Sequence, residues 1–316
     1  MFDSSLQRIR DLAGSAERQG ELSARVARLA PFDGSHRSAL SSLVLTRGSV
    51  PTMCMPTVYQ PCLAIVVQGR KRAILNDEVY HYDALNYLVV GVTLPGLGQV
   101  LEASPERPYL SLRLNLDLDE IARLVLQMGD RGPSPTAPDR GLFVASLDEP
   151  LLDAVLRLVK LLDTPEDIDV LAPVVQREIY YRMLRGELGS RLVDLAQAEG
   201  GNHRIVRAIE WLKQHYAAPL RIEALAEAVH MSPSALHHRF KAVTAMSPLQ
   251  YQKHLRLHEA RRLMFADGIE CAAAGHRVGY ESASQFSREY RRLFGAPPRA
   301  EISRLRDVGV STERYP

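Results

Sequence analysis

Apolar positions change their period twice along the 316-residue chain. Leu6, Ile9, Leu12 and Ala13, continued by Leu22, Val26 and Leu29, fall at helical spacing. They predict one amphipathic helix over residues 1–30, which Pro31 ends. Beyond residue 40 the apolar runs shorten: Val44-Leu45, Val50, Leu63-Ala64-Ile65-Val66-Val67, Ala73 to Tyr82, Tyr87 to Val92, Gln99 to Leu101 and Tyr109 to Leu116. Gly48, Pro56, Pro61, Gly69, Asn76-Asp77, Pro95-Gly96, Gly98 and Pro108 punctuate them. Leu110, Leu112, Leu114 and Leu116 alternate with Ser111, Arg113 and Asn115, a strand with one buried face. Asn76-Asp77 reads as a hairpin turn. Short strands at this spacing predict a small sandwich or barrel.

From residue 117 the helical period returns in Ile121, Leu124, Val125 and Met128. A polar loop over Gly129 to Arg140 follows, then the stripe Leu151-Leu152, Val155, Leu158-Val159 and Leu162, and further segments over Val174 to Leu188 and Leu192 to Ala196. Gly200-Gly201-Asn202 breaks the pattern and marks a linker. Residues 203–300 read as helices throughout, and Ile302 to Pro316 as a tail without strong pattern.

A repeat lies within this last helical part. Leu225 to Lys241 has the form of a helix-turn-helix. One helix carries the small Ala226 and ends at Val229, a tight turn follows, and Ser232 stands ready to cap the next helix with Pro233 at its first position. Leu236 and Phe240 share one face of that helix and point to the core. Ala274 to Arg291 repeats the form with one extra turn residue, and Phe286 and Tyr290 stand where Leu236 and Phe240 stood fifty residues earlier. The endings agree as well, Met246-Ser247-Pro248 against Ala296-Pro297-Pro298. Leu249 to Phe265 reads as a connecting helix with the stripe Leu249, Leu255 or Leu257, Ala260, Leu263 and Met264.

Charge supports a nucleic-acid partner for this part. Residues 201–316 hold 18 Lys/Arg against 11 Asp/Glu, a net +7, whereas residues 1–200 carry −5. Eight of the ten histidines also lie in the second part. No apolar run reaches the roughly 18 residues a membrane span needs. Met1 to Ala16 is interrupted by Asp3, Arg8, Arg10 and Asp11 and is no secretory signal, so a cytoplasmic protein is expected.

Gly279-Tyr280-Glu281-Ser282, Ser284-Gln285-Phe286-Ser287-Arg288 and Phe294-Gly295 before Pro297-Pro298 resemble the end of the C-terminal domain of AraC/XylS-type transcription regulators. The resemblance covers about residues 203–300. Residues 35–195 more loosely resemble the N-terminal domain of one branch of that family, through Pro61 to Gly69 and Tyr87-Leu88-Val89-Val90. It implies an α+β protein: a cupin-like β-barrel or sandwich with a helical segment, then an all-α domain with two helix-turn-helix units. The expected division is an N-terminal helix (1–34), an effector and dimerisation domain (35–199), a DNA-binding domain (203–301, units at about 220–243 and 269–293) and a tail (302–316).

On that reading the second helix of each unit enters the major groove of double-stranded DNA. The base-reading candidates are Ser234, His237, His238, Ser284, Gln285 and Arg288, with Ser287 on the same face. Arg288 suits guanine and Gln285 suits adenine or a phosphate. Lys241, Arg291 and Arg292 are assigned to phosphates. Two residues depart from the family's pattern. His230 stands where many relatives have Gly at the turn, and Gly275 sits inside a helix, where Ala would be usual.

No cofactor or metal is expected. The adjacent His237-His238 point about 100° apart on a helix and chelate poorly. His36, His81, Glu78 and Glu102 lack the clustering of a metal-binding cupin. The resemblance instead implies a small-molecule effector, suited to an apolar barrel mouth, with a homodimer through Leu151 to Ala196 and RNA polymerase as further candidate partners. Two alternatives remain at this point. Cys54 and Cys62, at strand edges, would make the domain a redox or electrophile sensor if their thiols were acidic and exposed. A cupin-like enzyme tethered to DNA, an alkyltransferase for example, would need an activated nucleophile, and Pro61-Cys62-Leu63-Ala64 brings no His or Arg beside the thiol.

Overall fold

A computed structural model describes residues 2–129, 132–133, 140–196 and 201–307. The predicted first helix forms as α1 (Phe2–Leu29). Ten strands follow it: β1 (Gly34–Arg37), β2 (Leu43–Gly48), β3 (Met55–Tyr59), β4 (Cys62–Gln68), β5 (Arg70–Leu75), β6 (Glu78–Asp83), β7 (Asn86–Val90), β8 (Leu94–Glu102), β9 (Tyr109–Asn115) and β10 (Leu142–Ser146). They make two antiparallel sheets, one ordered β1-β2-β9-β4-β7-β10 and the other β3-β8-β5-β6.

The burial pattern of β4 explains why its sequence is apolar throughout. Leu63, Ile65, Val66 and Val67 are buried, because helices cover one face of the larger sheet and the smaller sheet faces the other. On β9 the expected alternation holds: Leu110, Leu112 and Leu114 are buried while Ser111 and Arg113 are half-buried. Asn76, with φ of 54°, makes the β5–β6 turn with Asp77.

The strand pattern departs from expectation in two ways. β1, β3 and β10 were not foreseen, since their sequences carry little alternation and only pairing to neighbours makes them strands. β8 runs straight through Pro95-Gly96 and Gly98, read from sequence as breaks, because β3 and β5 pair with it from both sides.

Helices α2 (Leu118–Met128), α3 (Glu149–Lys160), α4 (Ile168–Arg185) and α5 (Gly189–Ala196) complete the first domain. Asp117 and Asp148 cap α2 and α3 through the amides of Glu120 and Leu151. α1 lies against the larger sheet and α3, with Leu22, Val26 and Ala30 fully buried and Gln19 Nε2 donating to the Val67 carbonyl at 2.8 Å.

The remaining helices are α6 (Gly201–His215), α7 (Ile222–Ala228), α8 (Pro233–Thr244), α9 (Pro248–Ala266), α10 (Cys271–Arg277), α11 (Ala283–Phe294) and α12 (Pro298–Asp307). Gly201 and Asn202 belong to α6 and not to a linker, and residues 197–200 lie outside the described ones. The assigned tail is also corrected. α12 continues to Asp307 and buries Ile302 and Leu305 beside Glu301, three residues that share one helical face. Leu249, read as part of the connecting stripe, is 58% exposed. It sits in the first turn of α9 on the outward side, between the buried Pro248 and Tyr251. Most of the Gly129–Arg140 loop lies outside the described residues. No described helix is long and apolar enough to cross a membrane.

Candidate nucleic-acid interface

Each unit is built by short-range bonds that the sequence encodes locally. In the first, α7 ends at Ala228 and His230 adopts a left-handed backbone, φ 54°. The amides of His230 and Met231 then return to the carbonyls of Glu227 and Ala226 at 3.1 and 2.9 Å. In the second, Gly279 takes the left-handed position, φ 90°. The amides of Gly279 and Tyr280 return to His276 and Gly275, both at 3.0 Å. The same closure thus recurs on Ala226 and Gly275, and Glu281 is the inserted residue. Only a residue without a side chain fits at Gly279, since a Cβ there would stand 2.1 Å from the Ala217 carbonyl oxygen. Gly275 also packs tightly: a Cβ would stand 3.0 Å from the Phe286 ring.

Ser232 and Ser282 then cap α8 and α11, accepting the amides of Ala235 and Gln285 at 3.2 and 3.3 Å. Leu236, Phe240, Phe286 and Tyr290 are fully buried. Both helices close on a left-handed residue, Ala245 at φ 60° and Gly295 at φ 79°, fifty residues apart. Ser247 and Gln250 form a reciprocal capping box that starts α9.

Burying those four positions turns the opposite faces outward. Ser234, His237, His238 and Lys241 are exposed on α8. Ser284, Gln285, Arg288, Arg291 and Arg292 are exposed on α11, and Ser287 is half-buried. Among the described residues, none of Lys241, Arg288, Arg291 and Arg292 is paired with a carboxylate. Other cations of this domain are engaged, Arg256, Arg261, Arg262 and Arg299 among them. Gln285 donates to Glu289 Oε1 at 3.3 Å, a contact that a base or phosphate could replace.

Three structural residues escaped the sequence reading. Arg256 on α9 donates to the carbonyls of Tyr216, Ala217, Ala218 and Gly279 at 2.6–3.3 Å, tying the second turn to the end of α6. Arg261 reaches Glu301 Oε1 at 2.7 Å, and Tyr290 donates to Glu301 Oε2 at 2.9 Å. Burial raises the Tyr290 hydroxyl above its ordinary pKa, so this network keeps its hydroxyl proton. No periodicity marks these residues, because each acts across a tertiary contact.

In the first domain, Cys54 is exposed and Cys62 is buried at 2% exposure, so an accessible thiol at Cys62 is contradicted. The candidate metal ligands have other work: Glu78 binds Arg140, and Glu102 pairs with Arg70 at 2.5 Å. Among the described residues no group of three His, Cys, Asp or Glu stands together. A cleft of about 920 Å³ opens between α1 and the turns at one end of the barrel, lined by Gln19, Ser23, Arg47, Gln68, Arg70 and Glu102. Its lining is more polar than the apolar mouth expected from sequence.

Residues 39–191 match the family model of the AraC-type transcriptional regulator N-terminus, and residues 225–303 match that of a helix-turn-helix domain. The HTH-type transcriptional activator RhaS of Escherichia fergusonii is 30% identical over 164 residues, 52% of this chain and 58% of that protein. RhaS of Salmonella schwarzengrund is 29% identical over 190 residues, covering 54% of this chain and 68% of its own. The chain thus spans little more than half the length of the first relative. Among solved structures, unsaturated fatty acid-bound ToxT of Vibrio cholerae aligns with a TM-score of 0.57 at 11% identity, over 89% of this chain and 100% of that one. That likeness is one of fold.

Proposed function

Because the chain belongs to the AraC family of transcription regulators, with an AraC-type N-terminal domain ahead of its helix-turn-helix domain, we propose that it binds double-stranded DNA sequence-specifically and regulates transcription from the cytoplasm. One observation carries this reading. Two capped helices fifty residues apart bury equivalent positions and turn outward polar faces with carboxylate-free cations. Arg288 forks onto guanine, Ser234, His237, His238, Ser284 and Gln285 meet base edges, and Lys241, Arg291 and Arg292 hold phosphates. Ser287, half-buried, is the weakest member of the set. Two such units on one chain meet successive major-groove segments about 34 Å apart, which gives a bipartite, non-palindromic site per monomer.

Selection of binding sequences from randomised duplexes by the full chain tests this. The expected result is two short conserved blocks one helical turn apart and affinity that falls by about 0.9 log units per log of salt for each phosphate contact. Selection of no sequence, with weak binding to every duplex, would remove the function.

The first domain is assigned an effector-sensing role rather than catalysis. ToxT, solved with a fatty acid, supports a fold that hosts a small molecule. The cleft between α1 and the barrel is the place we assign to it. A second copy of the chain is the partner assigned to α4. Val170, Leu171, Val174 and Tyr181 leave 71, 43, 63 and 41% of their surface exposed along it. Its N-terminal end is acidic (Glu166, Asp167, Asp169) and its last turn basic (Arg182, Arg185). Antiparallel pairing about Val174 sets each acidic end against a basic one. RNA polymerase is a further partner of the regulator so assigned.

A further inference from the structure

The first domain grips the DNA-reading helix α8 by its carboxyl end. Arg140 Nη1 donates to the main-chain carbonyls of Lys241 and Ala242 at 3.1 and 2.6 Å. The same guanidinium binds Glu78 on β6 through Nε, at 2.9 and 2.8 Å to the two carboxylate oxygens, and through Nη2 at 2.6 Å. Arg140 holds the Glu78 carboxyl below its ordinary pKa. The adjacent Gly141 donates its amide to the Val243 carbonyl at 2.9 Å and accepts from Gly91 at 2.8 Å. The fit is close: a Cβ on Gly141 would stand 2.6 Å from Val92 Cγ2 and 3.2 Å from Val243 Cγ1.

The last carbonyls of a helix carry its negative end and run short of amide partners; the Ala245 amide already meets the Lys241 carbonyl, so the guanidinium adds a second donor there and brings one to the Ala242 carbonyl. Arg140 also forms one wall of a cleft of about 710 Å³ whose other walls include Ser234, His237, His238 and Lys241. Those four side chains remain exposed, so docking steadies the reading helix without covering it.

We propose that Arg140 and Gly141 are positioning residues for DNA reading: through them the first domain sets the placement of the first helix-turn-helix unit on its half of the site. The proposal rests on the DNA-reading assignment above. Because the Arg140 and Gly141 bonds to the second domain all end on α8, their loss acts on one half-site.

The test selects binding sequences from randomised duplexes with the full-length wild type, Arg140→Ala, Arg140→Lys, Glu78→Gln and Gly141→Ala, with thermal unfolding as a check on folding. Arg140→Ala and Gly141→Ala are expected to lose base preference in one block only, with binding to the wild-type duplex about tenfold weaker. Arg140→Lys keeps a cation at the helix end and recovers part of the preference. Glu78→Gln, which leaves the carbonyl bonds available but frees the guanidinium, gives an intermediate loss even if the harsher variants fail to fold. Wild type that selects no sequence overturns the DNA assignment itself. Wild type that selects two blocks while the variants match it, lose both blocks equally or bind more tightly overturns the positioning role alone.

Discussion

The hydroxyl of Tyr251 on α9 donates to the main-chain carbonyl of Thr93 at 2.6 Å, a buried bond across the seam between the barrel and the DNA-reading domain. The same ring meets Phe240 edge-on at 5.3 Å, so one residue links the core of the first reading unit to the strand edge of the other domain. Arg261, ten residues and about three turns further along α9, adds a bond to the Pro56 carbonyl at 3.2 Å.

Tyr251→Phe retains the ring packing and deletes the bond, leaving the Thr93 carbonyl with a buried deficit. The expected loss is about 1–3 kcal/mol in chemical denaturation. A variant as stable as the wild type would show that the seam contributes nothing at this point.

The two left-handed turn residues respond in opposite directions. His230→Gly removes the strain of a side chain at positive φ and is expected to stabilise by about 1 kcal/mol. Gly279→Ala drives a Cβ onto the Ala217 carbonyl and is expected to destabilise by several times that amount. Thermal unfolding of both variants measures the contrast, and equal shifts would contradict the assigned geometry.

Burial lowers the His254 imidazole to about 4, with the neighbouring Lys253 adding to the effect. His258, on the next turn, is also held well below its ordinary value, by burial first and then by His254 and Arg261. In the unfolded chain both titrate near 6.5, so between about pH 6.5 and 4 the unfolded state takes up protons that the folded state refuses. Stability is therefore complete above about pH 6.5 and falls as the pH drops toward 4, by up to about 3 kcal/mol from His254. His254→Leu is expected to flatten that part of the stability profile measured by urea unfolding at each pH. Parallel profiles for the two proteins would refute the contribution.

Arg288 and Arg291 sit one turn apart on α11 but serve different ends in the proposed complex. Arg288→Ala should cost about 1–3 kcal/mol of binding and relax preference at one base pair. Arg291→Ala should weaken all sequences alike and reduce the salt slope by about 1. Fluorescence anisotropy titrations over a salt series separate them, and interchanged behaviour would reverse the two roles.

Val174→Glu places a carboxylate in the middle of the exposed α4 stripe, away from both the reading helices and the barrel seam. If two copies pair there, sedimentation velocity should show the wild-type dimer replaced by monomer, with the circular-dichroism spectrum unchanged and the unfolding midpoint no longer dependent on protein concentration. A wild type that sediments as a monomer at every concentration would end that assignment.

What the sequence determined by itself was everything that closes within a few residues. The caps Ser232 and Ser282, the small residues Ala226 and Gly275, the apolar pairs Leu236/Phe240 and Phe286/Tyr290, and the Asn76-Asp77 hairpin all act over one or two turns of chain. Their residue types alone therefore specify the local geometry, and the outward faces of α8 and α11 follow by default. The tertiary structure decided what depends on partners far along the chain. β1, β3 and β10 exist through pairing, α12 extends because Ile302 and Leu305 find a core, and Cys62 is shut away by sheet packing. Arg140 and Glu78 stand 62 residues apart, and Thr93 and Tyr251 stand 158 apart. A polar residue whose partner is that distant leaves no periodic trace, because its bond is selected by the folded geometry and not by its neighbours in sequence.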